Sequence, residues 1–505
     1  MIKYVHSFKT VGTEGVHVMV ETQITPGIGI HLVGLADAAV KESLLRTVTA
    51  LHALGYRVPG QKIVINLAPA DLAKSGTGYD LPIAIGILAA SEQEQLQELK
   101  EFVIAGELGL DGTLRDIPGW LQAAEHAMSC GMSCILPREC AKKAARAMQG
   151  DVTIYGVSNL AEAVAILNGN KPDHTALDEC EEVYSEIKEP RANDVWDKVS
   201  SCGAVARALE IAAAGGHPML LVGAPGSNKE DVARALLHIL PPMNYEEAIE
   251  VQRIYSVADE FDVLGFRPFR SPHYSSSLSA LIGGGTGDSI RPGEVSLAHN
   301  GVLFMDEYHL MPKAMKEAMR APLEDGSVTL SRLRSKVTFD ARFFPVFGTE
   351  PCPCGYYGEG DKCKCTEGQR KAFLSSLSGP VYDRLTLQLW VQPIKEENAS
   401  PGESSYTVAQ RVLTARKLQL DRQGKLNEQL TVDQVVKSIC PNSLGVQDDR
   451  FDYLTELMSK LGLATRSCSR ILKMARTIAD LEGEMSVGVH HIAEAASFRF
   501  LDREI

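Results

Sequence analysis

Three short stretches of this 505-residue chain carry side chains that could do chemistry. The first is Leu220-Leu-Val-Gly-Ala-Pro-Gly-Ser-Asn-Lys-Glu230, an apolar run followed by a Gly-rich turn and a helix starting near Lys229. Such a turn offers backbone N–H groups to an anion, and a Lys at the helix start reaches the outer phosphates of a nucleotide. Gly223, Gly226 and Lys229 fit the phosphate-loop pattern G-x-x-x-x-G-K-[ST], with Ser227 in the turn. Asn228 stands where the second motif Gly belongs, and Glu230 where a hydroxyl would bind Mg2+. The second stretch, Gly301-Val-Leu-Phe-Met-Asp-Glu307, ends an apolar run in two carboxylates. That pattern puts Asp306 and Glu307 at the C-terminal tip of a buried parallel strand, where α/β sheets bind ligands. In an ATP-hydrolysing site the Asp holds Mg2+ and the Glu polarises the attacking water. The third stretch pairs Cys352-Pro-Cys354 with Cys363-Lys-Cys365 around a turn-rich tip. Four thiols so close can surround one tetrahedral Zn2+, although C-x-C is tighter than the usual ligand spacing; free thiols or an Fe–S centre are the other readings.

The elements that must position these residues are ordinary in composition: 45% hydrophobic and 23% charged, enough for well-developed cores. At roughly 150 residues per domain, the length suggests about three domains. A net charge of -13 excludes a uniformly basic surface, so any nucleic-acid contact has to be a local patch or a pore lining. No apolar run approaches the roughly 20 residues of a membrane span, and the start of the chain lacks a secretory apolar core. Eleven cysteines, mostly scattered, suit a reducing cytoplasm better than a disulfide framework. A cytoplasmic protein without membrane contact is expected.

Residues 1–170 alternate short β-type runs (Val16–Val20, Ile28–Val33, Lys62–Leu67) with helical ones (Val40–Leu54, Leu81–Ala90), which predicts one α/β domain. Three motifs then become recognisable: Gly34-Leu-Ala-Asp-Ala-Ala-Val-Lys-Glu-Ser, the Asn66–Ala84 run with Lys-Ser-Gly-Thr-Gly-Tyr-Asp, and Ala105-Gly-Glu-Leu-Gly-Leu-Asp-Gly-Thr-Leu-Arg. They resemble the front domain of the Mg chelatase-like YifB/ComM family, itself similar to the Lon-protease (ribosomal S5-like) domain with its Ser–Lys chemistry. By motif register the Ser position falls at Gly78 and the Lys position at Leu121, while Lys74 and Ser75 are adjacent and cannot both face one site. The resemblance therefore implies a non-catalytic, oligomer-forming domain rather than an active peptidase. Acidic composition makes 171–192 a linker, and apolar period makes 403–505 helical with a hinge at Pro401; the resemblance implies a central AAA+ P-loop α/β domain over 193–396 and reads 403–505 as a lid of four helices on the nucleotide site.

The same resemblance implies roles. Arg384, in Val381-Tyr-Asp-Arg384, becomes the arginine finger reaching a neighbouring subunit, and Arg470 the second sensor. The first sensor, usually Asn, is Glu350 here. Asn tolerates the left-handed backbone, so Asn228 is a mild departure. Glu230 and Glu350 are not mild: two like charges about 4 Å apart at an effective dielectric near 20 repel by about 4 kcal/mol. The sharper expectation is that these acids replace the phosphate, Glu230 on the helix N-terminus and Glu350 or Asp306 pairing Lys229; the bland one is that they swing aside. A hairpin around Asp325-Gly326 is expected to carry Arg332, Arg334 and Lys336 on one face, a basic collar for DNA in a ring, with Arg267 and Arg270 beside Phe269 as a second contact. The resemblance thus implies a hexameric, ATP- and Mg2+-dependent motor on DNA, of the ComM type that promotes branch migration. The alternatives are a non-hydrolysing scaffold and a chelatase-type subunit, with no tetrapyrrole expected.

Overall fold

The computed structural model describes residues 1–35, 37–172, 174–178, 194–258, 264–286, 289–331, 336–377, 381–392, 402–439, 449–461 and 465–503. Most of the expected acidic linker, the Pro401 hinge, and Arg332 and Arg334 lie outside these residues.

A seven-stranded sheet organises the N-terminal lobe, in the order Ile30–Val33, Lys62–Ala68, Glu14–Thr25, Lys3–Val11, Phe102–Ile104, Ser133–Pro137, Ile154–Val157. The strand Lys62–Ala68 alternates strictly, burying Ile63, Ile65 and Leu67 and leaving the intervening residues half-exposed, as a one-faced strand must. Helix Asp80–Ala90 is apolar all round and correspondingly buried from Asp80 to Ala89. Its one acid, Asp80, is held by Arg46 through two bonds of 2.8 and 3.2 Å. The strand Lys3–Val11 escapes a sequence reading because Lys3, His6 and Lys9 interrupt its apolar pattern. Antiparallel pairing with Glu14–Thr25 holds it in place.

The second lobe is built on a fully parallel five-stranded sheet, ordered Phe269–Arg270, Val302–Met305, Phe344–Thr349, Met219–Val222, Leu387–Trp390. Its central strands are continuous apolar runs because helices cover both faces. Parallel strands share one C-terminal edge, so the ends of Met219–Val222, Val302–Met305 and Phe344–Thr349 open onto one place.

The C-terminal region is helical but holds five α-helices among the described residues, not four: Ser405–Gln423, Val432–Ile439, Asp449–Leu461, Thr465–Leu481 and Val489–Ser497. They pack on helix Gly203–Gly215 in one apolar cluster, sealed by buried polar contacts such as His217 to Glu428 (2.7 Å) and to Thr477 (2.8 Å). Helix Gly203–Gly215 leads into the N-terminal end of strand Met219–Val222. The buried tie from Thr477 to His217 reaches the sheet at its N-terminal side, beside the start of strand Met219–Val222. The two lobes meet where helix Tyr245–Ala258 lies on helix Trp120–Ser129. There Gln122 donates to the Arg253 carbonyl (3.0 Å), and the Leu121 N–H donates to Ser256 Oγ (3.2 Å).

Candidate nucleotide site

The loop after Met219–Val222 keeps its motif shape. No side chain fits at Gly223, where a Cβ would stand 2.4 Å from Ser227 Oγ and 2.5 Å from the Val391 carbonyl. Asn228 adopts φ 58°, ψ 38°, the left-handed conformation that the motif Gly supplies and that Asn accepts at small cost. Lys229 is buried, and its ammonium donates to the carbonyls of Gly223 (3.3 Å) and Ala224 (3.4 Å). Among the described residues no carboxylate stands at ion-pair distance from it. Ser227 Oγ is buried and has no hydrogen-bond partner among them.

Glu230 does not lie on the loop. Its carboxylate accepts from Arg234 Nε (3.1 Å) and a terminal guanidinium nitrogen (2.7 Å), and Arg234 stacks 4.2 Å from the Phe269 ring centroid. The physical reason is helical spacing: residues i and i+4 share a face, and Glu preceding Arg is the favourable order. The expected phosphate-mimicking position of Glu230 is thereby corrected, as is the Glu350 or Asp306 pairing of Lys229.

Asp306 and Glu307 stand at the neighbouring strand tip. Asp306 Oδ1 accepts the Glu307 N–H (2.8 Å), and it occupies space that only Gly348 on the adjacent strand leaves, since a Cβ there would stand 2.2 Å away. Glu307 takes φ 52°, ψ 41°, a left-handed conformation that costs a bulky residue about 1–3 kcal/mol and that concentrates at functional sites. Glu350 follows strand Phe344–Thr349, which lies between the other two. Burial pushes its carboxyl up; Lys229 opposes this, and Glu307 and Asp306 add to it. The four charged groups therefore share one site. His309, absent from the sequence reading, joins them: its Nε2 is 3.9 Å from Glu350 and its Nδ1 3.4 Å from Thr349 Oγ1, and burial lowers its pKa. No spacing rule marks it, because it sits in a short turn, Tyr308–Leu310.

Arg384 and Arg470 lie elsewhere. Arg384 precedes strand Leu387–Trp390, whose entrance is level with Pro218, and it contacts the Glu324 carboxylate. Arg470, its pKa lowered by burial, donates to the Asp383 carbonyl. Both are at the N-terminal edge of the parallel sheet, opposite the loop of their own chain.

The cysteines converge: Cys352 to Cys354 is 3.4 Å, Cys352 to Cys363 3.8 Å and Cys354 to Cys363 3.7 Å, with Cys365 inside the same group. Zn–S bonds of about 2.3 Å in a tetrahedron put sulfurs about 3.8 Å apart, so the donor set fits that ion. Backbone N–H groups of Tyr356 and Lys364 push the Cys354 thiol down to about 6. This knuckle abuts the nucleotide loop: a Cβ on Gly355, left-handed at φ 82°, would stand 2.9 Å from Pro225 and 3.1 Å from the Glu350 carboxyl.

The basic candidates divide. Arg267 is bonded to the Pro241 and Asn300 carbonyls and to Glu247, and Arg270 to Glu294 at 2.6 and 2.8 Å, so both are structural ties and not an open contact loop. The hairpin exists, but its strands are Ser327–Ser331 and Lys336–Asp340. The first strand begins only after Gly326, which, left-handed at φ 65°, ends the preceding helix. Lys336 lines a cleft between the lobes, where Val337 packs on Gly12. In the N-terminal lobe Ser75 lines that cleft, while Lys74 is buried and donates to the Pro69 carbonyl. Leu121 is covered by the second lobe.

Five parallel strands opening onto one phosphate-type loop, with a helical C-terminal region, define an α/β protein of the Mg chelatase-like AAA+ class. Residues 196–399 match the family described as magnesium chelatase, subunit ChlI; 20–140 match subunit ChlI of Mg-chelatase, and 402–499 its C-terminal family. The chain is 39% identical to protein YifB of Salmonella typhimurium over 99% of its length and 97% of that relative's. It is 38% identical to Escherichia coli YifB (99% and 98%) and to the competence protein ComM of Haemophilus influenzae (99% and 97%). The chain belongs to the Mg chelatase-like YifB/ComM family. No helix among its described residues is long and apolar enough to cross a membrane.

Proposed function

We propose that this chain is a ring-forming ATPase that acts on DNA as a branch-migration or helicase-type translocase. The observation that carries the ATP reading is the position of Glu230: paired with Arg234 on the helix flank, it leaves the Lys229 ammonium donating to the backbone carbonyls of Gly223 and Ala224, which a phosphate can replace. In this reading Gly223, Gly226, Ser227, Asn228 and Lys229 hold the nucleotide. Asp306 would hold Mg2+, whose charge neutralises the phosphates, and Glu307 orients water. The arrangement fits Mg2+ because carboxylates stand at the strand tip and the buried Ser227 hydroxyl lacks a partner. Arg384 and Arg470, on the far edge of the sheet, reach a nucleotide only in another copy, which supports a ring; six copies follow the family resemblance. The knuckle Cys352, Cys354, Cys363 and Cys365 holds Zn2+ and braces Pro225 and Glu350.

The DNA assignment rests on the hairpin with Lys336 next to 332–335, and on the competence-protein name of one relative. Phosphate release measured with and without branched DNA tests it. Wild type is expected to show DNA-stimulated release and Glu307→Gln none; release unaffected by DNA contradicts the assignment.

Glu350 favours a second reading, a non-hydrolysing scaffold of the same fold. Its carboxyl, with a pKa raised by burial, brings a third acid beside Asp306 and Glu307 to the place that a nucleotide's phosphates would take.

A further inference from the structure

The N-terminal lobe carries a cluster of metal-binding donors remote from the cysteine knuckle. His17 lies on strand Glu14–Thr25 opposite Phe8, so His6, two residues along the partner strand, is its diagonal neighbour on the same face. Helix Trp120–Ser129 crosses this face and presents His126 and, one turn on, Cys130. The helix comes this close because residue 15 is Gly: a Cβ there would stand 2.4 Å from the Gln122 carbonyl and 3.1 Å from His126 Cβ. As a result His17 Nδ1 is 2.9 Å from His126 Nε2, and His126 Nε2 is 3.7 Å from Cys130 Sγ. All three donor atoms lie within 4.8 Å of one another.

The geometry points to a second transition-metal site in this chain, with His17 Nδ1, His126 Nε2 and Cys130 Sγ as ligands for Zn2+ or a similar borderline-soft divalent ion. Bond lengths of about 2.0–2.1 Å to nitrogen and 2.3 Å to sulfur place tetrahedral ligand atoms about 3.4 Å (N to N) and 3.6 Å (N to S) apart. The N-to-S distance already fits, and the two nitrogens need to part by about half an ångström. His6 completes the arrangement from behind, with its Nδ1 3.4 Å from His17 Nε2. When His17 Nε2–H donates to it, the proton is fixed on that nitrogen and Nδ1 is left as a lone pair, the usual partner arrangement of a ligating histidine. Burial lowers the pKa of all three histidines, which favours the neutral form that a ligating imidazole needs. His126 is 9% exposed whereas Cys130 is exposed, so one side of the site is open. A fourth protein donor is not grouped with these three among the described residues. Three protein ligands with an open position match a reactive or exchangeable zinc site more closely than a closed structural one.

The test uses the full-length protein at neutral pH with Zn2+ as the probe. Zinc content after dialysis is compared for wild type, Cys130→Ser, His17→Gln and the exposed-cysteine control Cys202→Ser. Wild type and the control are expected to retain one more equivalent per chain than Cys130→Ser or His17→Gln. Because Cys130 is exposed, its variant should fold. Thermal unfolding with and without Zn2+ provides an independent measure: the zinc-induced rise in melting temperature is expected to be larger in wild type and the control than in Cys130→Ser, where only the cysteine knuckle is left to respond. Equal zinc content in all four proteins, or an equal thermal shift in Cys130→Ser, overturns the site.

Discussion

Two acids stand where this family's pattern has neutral residues, and the structure treats them differently. Glu230 is on a helix flank, where Arg234 waits one turn away, and the pair turns outward with both side chains nearly half exposed. Glu350 is at a buried strand end, where its neighbours are Lys229, Asp306, Glu307 and His309 and no arginine among the described residues pairs with it. A helix surface can divert an unwanted charge because its i+4 neighbour is free to answer it. A strand tip packed between two others cannot. Of the two departures, then, Glu350 is the one that bears on phosphate binding.

Several substitutions break or sharpen that contrast. Glu350→Gln removes the charge the site cannot divert, and should tighten ATP·Mg2+ binding about tenfold near pH 8. That is well under the full repulsion of about 4 kcal/mol, because the side chain is partly exposed. The sign with pH follows from the raised pKa: Glu350 keeps its proton to higher pH than a free Glu. Wild-type affinity should therefore be highest below that raised value and weaken as pH climbs through it, while Glu350→Gln stays flat. Titrations at several pH values check both.

Loss of the knuckle should come next. With Gly355 against Pro225 and Glu350, stripping zinc or replacing Cys354 by Ser should loosen the loop and weaken ATP binding several-fold, read by calorimetry before and after chelation. Smaller again, Arg234→Ala releases Glu230 towards the phosphates and should cost about two- to threefold in affinity. Glu230→Ala should change stability by only about 0.3–0.5 kcal/mol, the usual worth of an exposed i,i+4 pair. A large loss of ATP binding in Glu230→Ala would show that this acid serves the site after all.

The comparison also shows what the sequence could convey. Buried parallel strands advertise themselves as unbroken apolar runs, so the tips that carry Asp306 and Glu307 were legible, as were Gly223, Lys229 and the cysteine cluster. Side-chain direction was not. Whether Glu230 faced the loop depended on a partner four residues on, and Arg267 and Arg270 looked available until Glu247 and Glu294 closed on them from other segments. The hairpin slipped because Gly326 serves as a helix cap and not as a turn. His309 meets Glu350, and His126 meets His17, only through tertiary contacts between distant segments, for which no local spacing exists.

The most direct measurement is calorimetric titration of ATP·Mg2+ into the wild-type protein and into Lys229→Ala. Micromolar binding in the wild type that disappears in the variant is the predicted result. No binding to the wild type, or equal binding to both, would contradict a working phosphate loop.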